Sequence, residues 1–258
     1  MITHNATNAQ AVSTSDPVTQ SITCDSSVRL LVVMITVGGA TTRTGGTPTY
    51  NGTALTQAST TTYYATSPET NIEMWYLINP SIGTYDVSIP NNGSLEVSLI
   101  TSRFSPDLGA SVAVIDAQSN TGVSTAPGSA THSDYHYDDL MVAMFASGSD
   151  STATYCTGTQ LVNQQDCGTY IAGAAYRQFS FMTIPTAYSI SWGNLTSEDW
   201  AVVSAVFREV VDSSNVEVAK VIGHVVIEPY GLQVSKVVGY VVLKDWVPAS
   251  GIQFFLII

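Results

Sequence analysis

The chain ends on two copies of one apolar strand pattern, and any fold it adopts must cover them. Val216-Glu217-Val218-Ala219-Lys220-Val221-Ile222-Gly223-His224-Val225-Val226-Ile227 is followed, sixteen residues on, by Leu232-Gln233-Val234-Ser235-Lys236-Val237-Val238-Gly239-Tyr240-Val241-Val242-Leu243. The Lys, the Gly and four Val positions match. β-Branched residues favour strands because their side chains suit a pleated surface. Apolar residues fall at both odd and even positions, so each copy has two apolar faces and is stable only when covered on both. Left open, such strands template aggregation. A tandem of this kind after a complete-looking domain predicts a segment made to dock on another chain.

Composition agrees with a β-rich exterior. Hydrophobic residues make up 45% of the 258 residues and charged residues only 11%, against about 25% charged in average globular chains. The surface must therefore be built from Thr, Ser, Asn, Gln and Gly. A virion-like or extracellular surface and an ordinary Thr/Ser-rich β-sandwich fit this equally. The net charge is −12. Eight Lys and Arg residues cannot form the basic patch that phosphate neutralisation requires, so nucleic acid and anionic membrane surfaces are poor partners. The amino end carries no basic region with an apolar stretch behind it, so no secretory signal is expected. The longest apolar run, residues 30–37 with one Thr, is far short of the about 20 residues a membrane helix needs.

Strand signals are dense: residues 28–37, 72–78, 85–89, 95–104, 110–115, 140–146, 170–177, 180–184, 188–192 and 200–206, separated by turn residues. No segment holds a helical period. Short strands at this spacing predict an all-β, jelly-roll-like β-sandwich of two antiparallel sheets with a C-terminal tandem strand extension. The expected division is an N-terminal arm over 1–17, the sandwich over 18–211 and the docking segment over 212–258, with the stretch from Val211 to Asn215 as linker. Residues 118–133 are expected as a loop. A second echo links Asn51-Gly52-Thr53-Ala54-Leu55-Thr56-Gln57 to Thr157-Gly158-Thr159-Gln160-Leu161-Val162-Asn163-Gln164. Each copy follows an apolar run, which marks residues 18–116 and 125–208 as two similar Greek-key halves of one jelly roll.

Chemistry-bearing clusters are few. His132, Asp134 and His136 alternate, which puts all three on one face of a strand and makes them a weak metal candidate; the alternative is a polar hairpin edge leading to Asp138-Asp139. No Gly-x-Ser-x-Gly elbow, His-Glu-x-x-His pair or phosphate loop occurs, so neither catalysis nor a cofactor is expected. A glycosidase pair of carboxylates would leave no sequence spacing to find. Tyrosine is abundant. Tyr63, Tyr64, Tyr135 and Tyr137 could stack sugars beside Asn and Asp, or simply pack between strands. Cys24 is expected as a small buried residue. Cys156 and Cys167 flank a short polar stretch, and either close it as a disulfide or stay two thiols.

The run Pro48-Thr49-Tyr50-Asn51-Gly52-Thr53-Ala54-Leu55-Thr56-Gln57, then Glu73-Met74-Trp75-Tyr76-Leu77-Ile78-Asn79-Pro80, then Gly83-Thr84-Tyr85-Asp86-Val87-Ser88-Ile89 resembles a β-sandwich module of phage and phage-like virion proteins. The strand Asp199-Trp200-Ala201-Val202-Val203-Ser204-Ala205-Val206-Phe207 and the terminal repeat are similar to later strands of such proteins. The resemblance covers about residues 18–245. It carries no catalytic residues and implies a capsid-decoration, head-fibre or tail-appendage component. The expected function is thus a structural subunit of a virion or extracellular assembly, docking on neighbouring copies through Val218, Val221, Val225, Val234, Val237, Val241, Trp246, Phe254 and Phe255. A carbohydrate-binding sandwich for host or surface glycans is the alternative expectation, and a glycan hydrolase the third.

Overall fold

In the computed structural model the β-branched runs form strands, and no α-helix occurs among the described residues. These are residues 1–39, 43, 46–63, 70–92, 95–107, 111–124, 131–133, 139–148, 155–166, 170–178, 189–193 and 198–210. The expected docking segment over 212–258, and the strand expected over 180–184, lie outside the described residues. All sheet pairings are antiparallel.

The first half supplies β1 (Ile2–Ser13), β2 (Val18–Cys24), β3 (Leu30–Gly38), β4 (Thr49–Tyr50), β5 (Thr53–Ala54), β6 (Thr56–Tyr63), β7 (Thr70–Ile78), β8 (Gly83–Ile89) and β9 (Glu96–Pro106). They make a five-stranded sheet in the order β1-β9-β3-β7-β6 and a four-stranded sheet in the order β2-β8-β4-β5. Asn51 and Gly52 form the two-residue turn between β4 and β5, with φ of 48° and 73°. Two consecutive positive φ values define the hairpin turn that Asn-Gly favours.

The second half supplies β10 (Ser111–Ser124), β11 (Leu140–Gly148), β12 (Tyr155–Cys156), β13 (Thr159–Asp166), β14 (Tyr170–Gln178), β15 (Trp192–Gly193) and β16 (Glu198–Val210). They make a five-stranded sheet in the order β10-β16-β11-β14-β13 and a two-stranded one, β12-β15. Strand for strand, the large sheet repeats the first half.

Three cores give the layering. The largest joins the two five-stranded sheets, with Leu30, Val32, Met34, Ile100 and Phe104 facing Val142, Met144, Ala174, Val203 and Phe207. A second lies between the outer face of the first large sheet (Leu31, Val33, Ile35, Leu99) and the four-stranded sheet (Val18, Ile22, Val87, Ile89). A third lies beyond the second large sheet and joins Met141, Phe145, Val202 and Val206 to Ile190 and Trp192. The order is therefore small sheet, large sheet, large sheet, small sheet. β3 shows why: all nine of its residues are buried. A strand apolar on both faces needs a layer on each side, and each fully buried aliphatic side chain contributes about 1.5–3 kcal/mol.

The all-β, antiparallel sandwich expected from the sequence is what forms, but β2, β6 and β13 are not among the expected strands, residues 189–191 of the strand expected over 188–192 are not strand, and three larger differences follow. Each half carries its own pair of sheets rather than one sheet of a shared sandwich, because the central strands bury both faces. Residues 2–13, set apart from sequence within an arm, form β1 along β9 from Ile2↔Pro106 to Ser13↔Val97. Their Thr, Asn and Gln side chains hid a strand held by backbone pairing and by Ile2, which is wholly buried. Residues 118–124, read as loop, continue β10 against β16 from Gln118↔Ser204 to Ser124↔Glu198; an edge strand can be polar without leaving the ladder.

The halves are related in side-chain detail. Phe104 and Phe207 sit opposite Leu30 and Leu140 in their own sheets. Tyr76 and Tyr176 sit opposite Val32 and Val142. Across the central core Tyr76 meets Phe207 edge-on at 5.9 Å and 74°, and Tyr176 meets Phe104 at 6.0 Å and 74°. Reciprocal contacts of this kind are what an approximate two-fold relation between the halves produces.

Candidate functional site

Among the described residues, a hydrogen-bonded carboxylate-imidazole-hydroxyl chain lies on the outer face of the second large sheet. A register shift between Val114 and Asp116 interrupts β10, and bulges of this kind re-aim side chains. Asp116 Oδ2 stands 2.8 Å from His132 Nδ1, and His132 Nε2 stands 2.8 Å from Ser204 Oγ. Ser204 occupies the middle of β16, between Gln118 of β10 and Ala143 of β11. Gln118 Nε2 donates to the other Asp116 oxygen at 2.9 Å. With Nδ1–H donating to the carboxylate, Nε2 is left to accept the Ser204 hydroxyl proton.

Burial pushes the His132 pKa down, and the bond and charge of Asp116 recover only part of that loss. Burial alone would raise Asp116; the bonds from Gln118 and His132, with the attraction to His132, outweigh it and hold the carboxyl below its ordinary value. The resting state is carboxylate, neutral imidazole and hydroxyl.

Carboxylate, imidazole and hydroxyl in this order are the parts of a nucleophile triad. Here His132 and Ser204 are both wholly buried, whereas a nucleophile must meet its substrate. The first half explains the arrangement. Thr101 precedes Phe104 by three positions, as Ser204 precedes Phe207, and Thr101 Oγ1 donates to Gln20 Oε1 of the overlying β2 at 2.8 Å. Residues 131–133 take the place along the chain that β2 takes in the first half, between the first and third strands. The His132 contact thus corresponds to a polar fastening between an outer layer and a large sheet.

The sequence grouped His132 with Asp134 and His136; the two latter lie outside the described residues. The partners of His132 instead come from 16 positions before it and 72 after, a separation that no local motif records. Both of its ring nitrogens are engaged. No group of three or more His, Cys, Asp or Glu residues able to hold a metal ion occurs among the described residues. Asp139 is wholly buried and takes a two-pronged contact from Arg208, with Nε and Nη2 each at 2.9 Å. It fastens the start of β11 to the end of β16.

Of the tyrosines considered for sugar stacking, Tyr63 ends β6 opposite Thr70, and Tyr64, Tyr135 and Tyr137 lie outside the described residues. Tyr76, Tyr170 and Tyr176 pack in or against the central core. Cys24 is buried, with its thiol pushed up by burial, and Cys156 is a free thiol whose sulfur accepts the Gly158 N–H at 3.3 Å. Every expected assembly residue, Val218, Val221, Val225, Val234, Val237, Val241, Trp246, Phe254 and Phe255, lies outside the described residues.

No family model, no curated protein and no solved structure matches this chain. No helix among the described residues is long and apolar enough to cross a membrane.

Proposed function

We propose that the chain is a structural subunit of a virion or other extracellular assembly, docking through its C-terminal strands on neighbouring copies. The tandem repeat at Val216–Ile227 and Leu232–Leu243 carries this reading. Two apolar faces per strand demand cover, and backbone pairing with an exposed sheet edge supplies affinity while alternate side chains set register. The layered sandwich supports it as a rigid carrier with a low-charge exterior.

The strand orders β1-β9-β3-β7 and β2-β8-β4-β5 support a finer description of the first half. The first strand adjoins the last, and the second adjoins the last but one, as in a jelly roll. The second half is then a jelly roll with a reduced outer sheet, and the chain carries two. On this reading the subunit needs no cofactor and performs no chemistry, and the Asp116-His132-Ser204 chain is a fastening. The glycan-binding alternative rests on Tyr63, Tyr64, Tyr135 and Tyr137, whose side chains lie outside those described. Deletion of residues 212–258 tests the proposal: a folded, soluble monomer is expected, and retained assembly would overturn it.

A further inference from the structure

We infer that the free edge of β2 is the acceptor on which the C-terminal repeat of a second copy adds as a strand, an inference that rests on the docking function proposed above. The large sheets leave little room for such a strand, because each covers the other's edges. On one side Ser59 Oγ of β6 donates to the carbonyl of Gln118 in β10 at 2.8 Å. On the other, Gln165 of β13 and Gln178 of β14 donate to the Gln10 and Ile2 carbonyls of β1. In the outer layers β5, β12 and β15 have only two residues each.

β2 is different. It has seven residues and, among the described residues, pairs with β8 alone, in unbroken register from Val18↔Ile89 to Cys24↔Gly83. Natural sheets blunt such an edge with lysine, proline, a bulge or an inward charge. The sequence Val18-Thr19-Gln20-Ser21-Ile22-Thr23-Cys24 contains no charge and no proline, and no bulge interrupts it. Among the described residues two of its carbonyls accept from side chains, both near one end: Thr23 O from Arg103 Nη1 at 2.5 Å and Ile22 O from the Tyr50 hydroxyl at 3.3 Å.

The occupant is indicated by what the rest of the chain contains. The described fold ends at Val210, and 48 residues follow it, including two strand-like repeats of twelve residues each. Lysine, the commonest edge guard, is absent from residues 1–210; all three lysines, Lys220, Lys236 and Lys244, lie in the last 48 residues. The first 210 residues hold five arginines against sixteen carboxylates, and the last 48 three lysines against four. A nearly neutral, lysine-bearing strand therefore meets an acidic, lysine-free carrier, so long-range repulsion between donor and acceptor is small. Because donor and acceptor lie at different places on each copy, one-way contacts build rings or filaments, and reciprocal exchange between two copies closes a dimer.

The test uses three full-length proteins: wild type, an acceptor variant Thr19→Lys/Ser21→Lys, and a donor variant Val221→Lys/Val237→Lys. Masses are read by light scattering at one concentration. Wild type should assemble and each variant alone should be a monomer. A one-to-one mixture of the two variants should form a dimer and nothing larger, since one intact contact remains. Assembly of the acceptor variant like wild type, with the donor variant monomeric, overturns β2 as acceptor and leaves strand docking standing. Assembly of both variants, or a monomeric wild type, overturns both. A mixture that stays monomeric overturns the head-to-tail pairing. Should the acceptor variant fail to fold, amide exchange on wild type decides: residues 18–22 should exchange at least tenfold more slowly in the assembled than in the diluted protein, and equal rates overturn the proposal.

Discussion

His132 concentrates the acid sensitivity that the described residues foretell. Its folded pKa lies below its ordinary value, so the folded state favours the neutral ring. The stability this contributes is complete above the unfolded pKa of about 6.5 and is lost as pH falls below it. Asp116, held low, adds a second loss as pH drops through the ordinary carboxylate range near about 4. His4, half-buried between Phe104 and Tyr176 and also lowered by burial, acts in the same direction as His132. Gln20 performs the matching task in the first half, so His132→Gln should fold at pH 7.5 within about 1 kcal/mol of wild type. Its urea midpoint should fall less than wild type's between pH 7.5 and 5.5; equal falls would remove His132 as the titrating group. Asp139→Ala leaves the Arg208 guanidinium without its buried carboxylate and should cost about 3 kcal/mol, measurable by the same titration. Sequence showed His132 as polar and clustered, but not its function, because Asp116 and Ser204 reach it only through the pairing of β10 with β16.

Among the elements, the strands with apolar runs were plain in the sequence, since β3, β7, β9, β11 and β16 are rich in aliphatic and aromatic residues and bounded by turn residues. β1, β2, β6, β13 and the far end of β10 were not. Thr, Ser, Asn and Gln are frequent in all of them, and what makes them strands is a neighbour's backbone, which a single sequence does not display. The echo of Asn51-Gly52-Thr53 in Thr157-Gly158-Thr159 does not match element for element, since the first forms the β4–β5 turn of the small sheet and the second leads from β12 into β13 of the large sheet. Contacts between elements impose steric demands of their own. A Cβ on Gly38, at the end of β3, would stand 2.5 Å from Tyr170 Cε1. Tyr170 has little room to yield, because its hydroxyl reaches the Thr36 and Glu96 carbonyls at 3.4 and 3.3 Å. Gly38→Val should therefore lose about 1–3 kcal/mol. An unchanged denaturation midpoint would show that β14 is not seated on β3 as described.

At the scale of the whole molecule, the two halves share their largest core, and neither can leave the other without exposing it. Residues 1–210 should accordingly unfold in one calorimetric transition. Phe104→Ala and Phe207→Ala, equivalent across the approximate two-fold, should each cost about 3–5 kcal/mol and by similar amounts. Two separate transitions, or a large cost in one half only, would contradict a shared core. The layering was illegible in sequence for a physical reason: a strand apolar on both faces states that it is covered twice and does not say by what. The terminal repeats make the same statement, and a neighbouring copy is the proposed answer. Light scattering on the purified full-length protein and on residues 1–211 tests that answer most directly. Oligomers or filaments from the full-length protein, with the shorter form a folded monomer, are the predicted result; the same mass per chain length for both, monomeric or assembled, would contradict it.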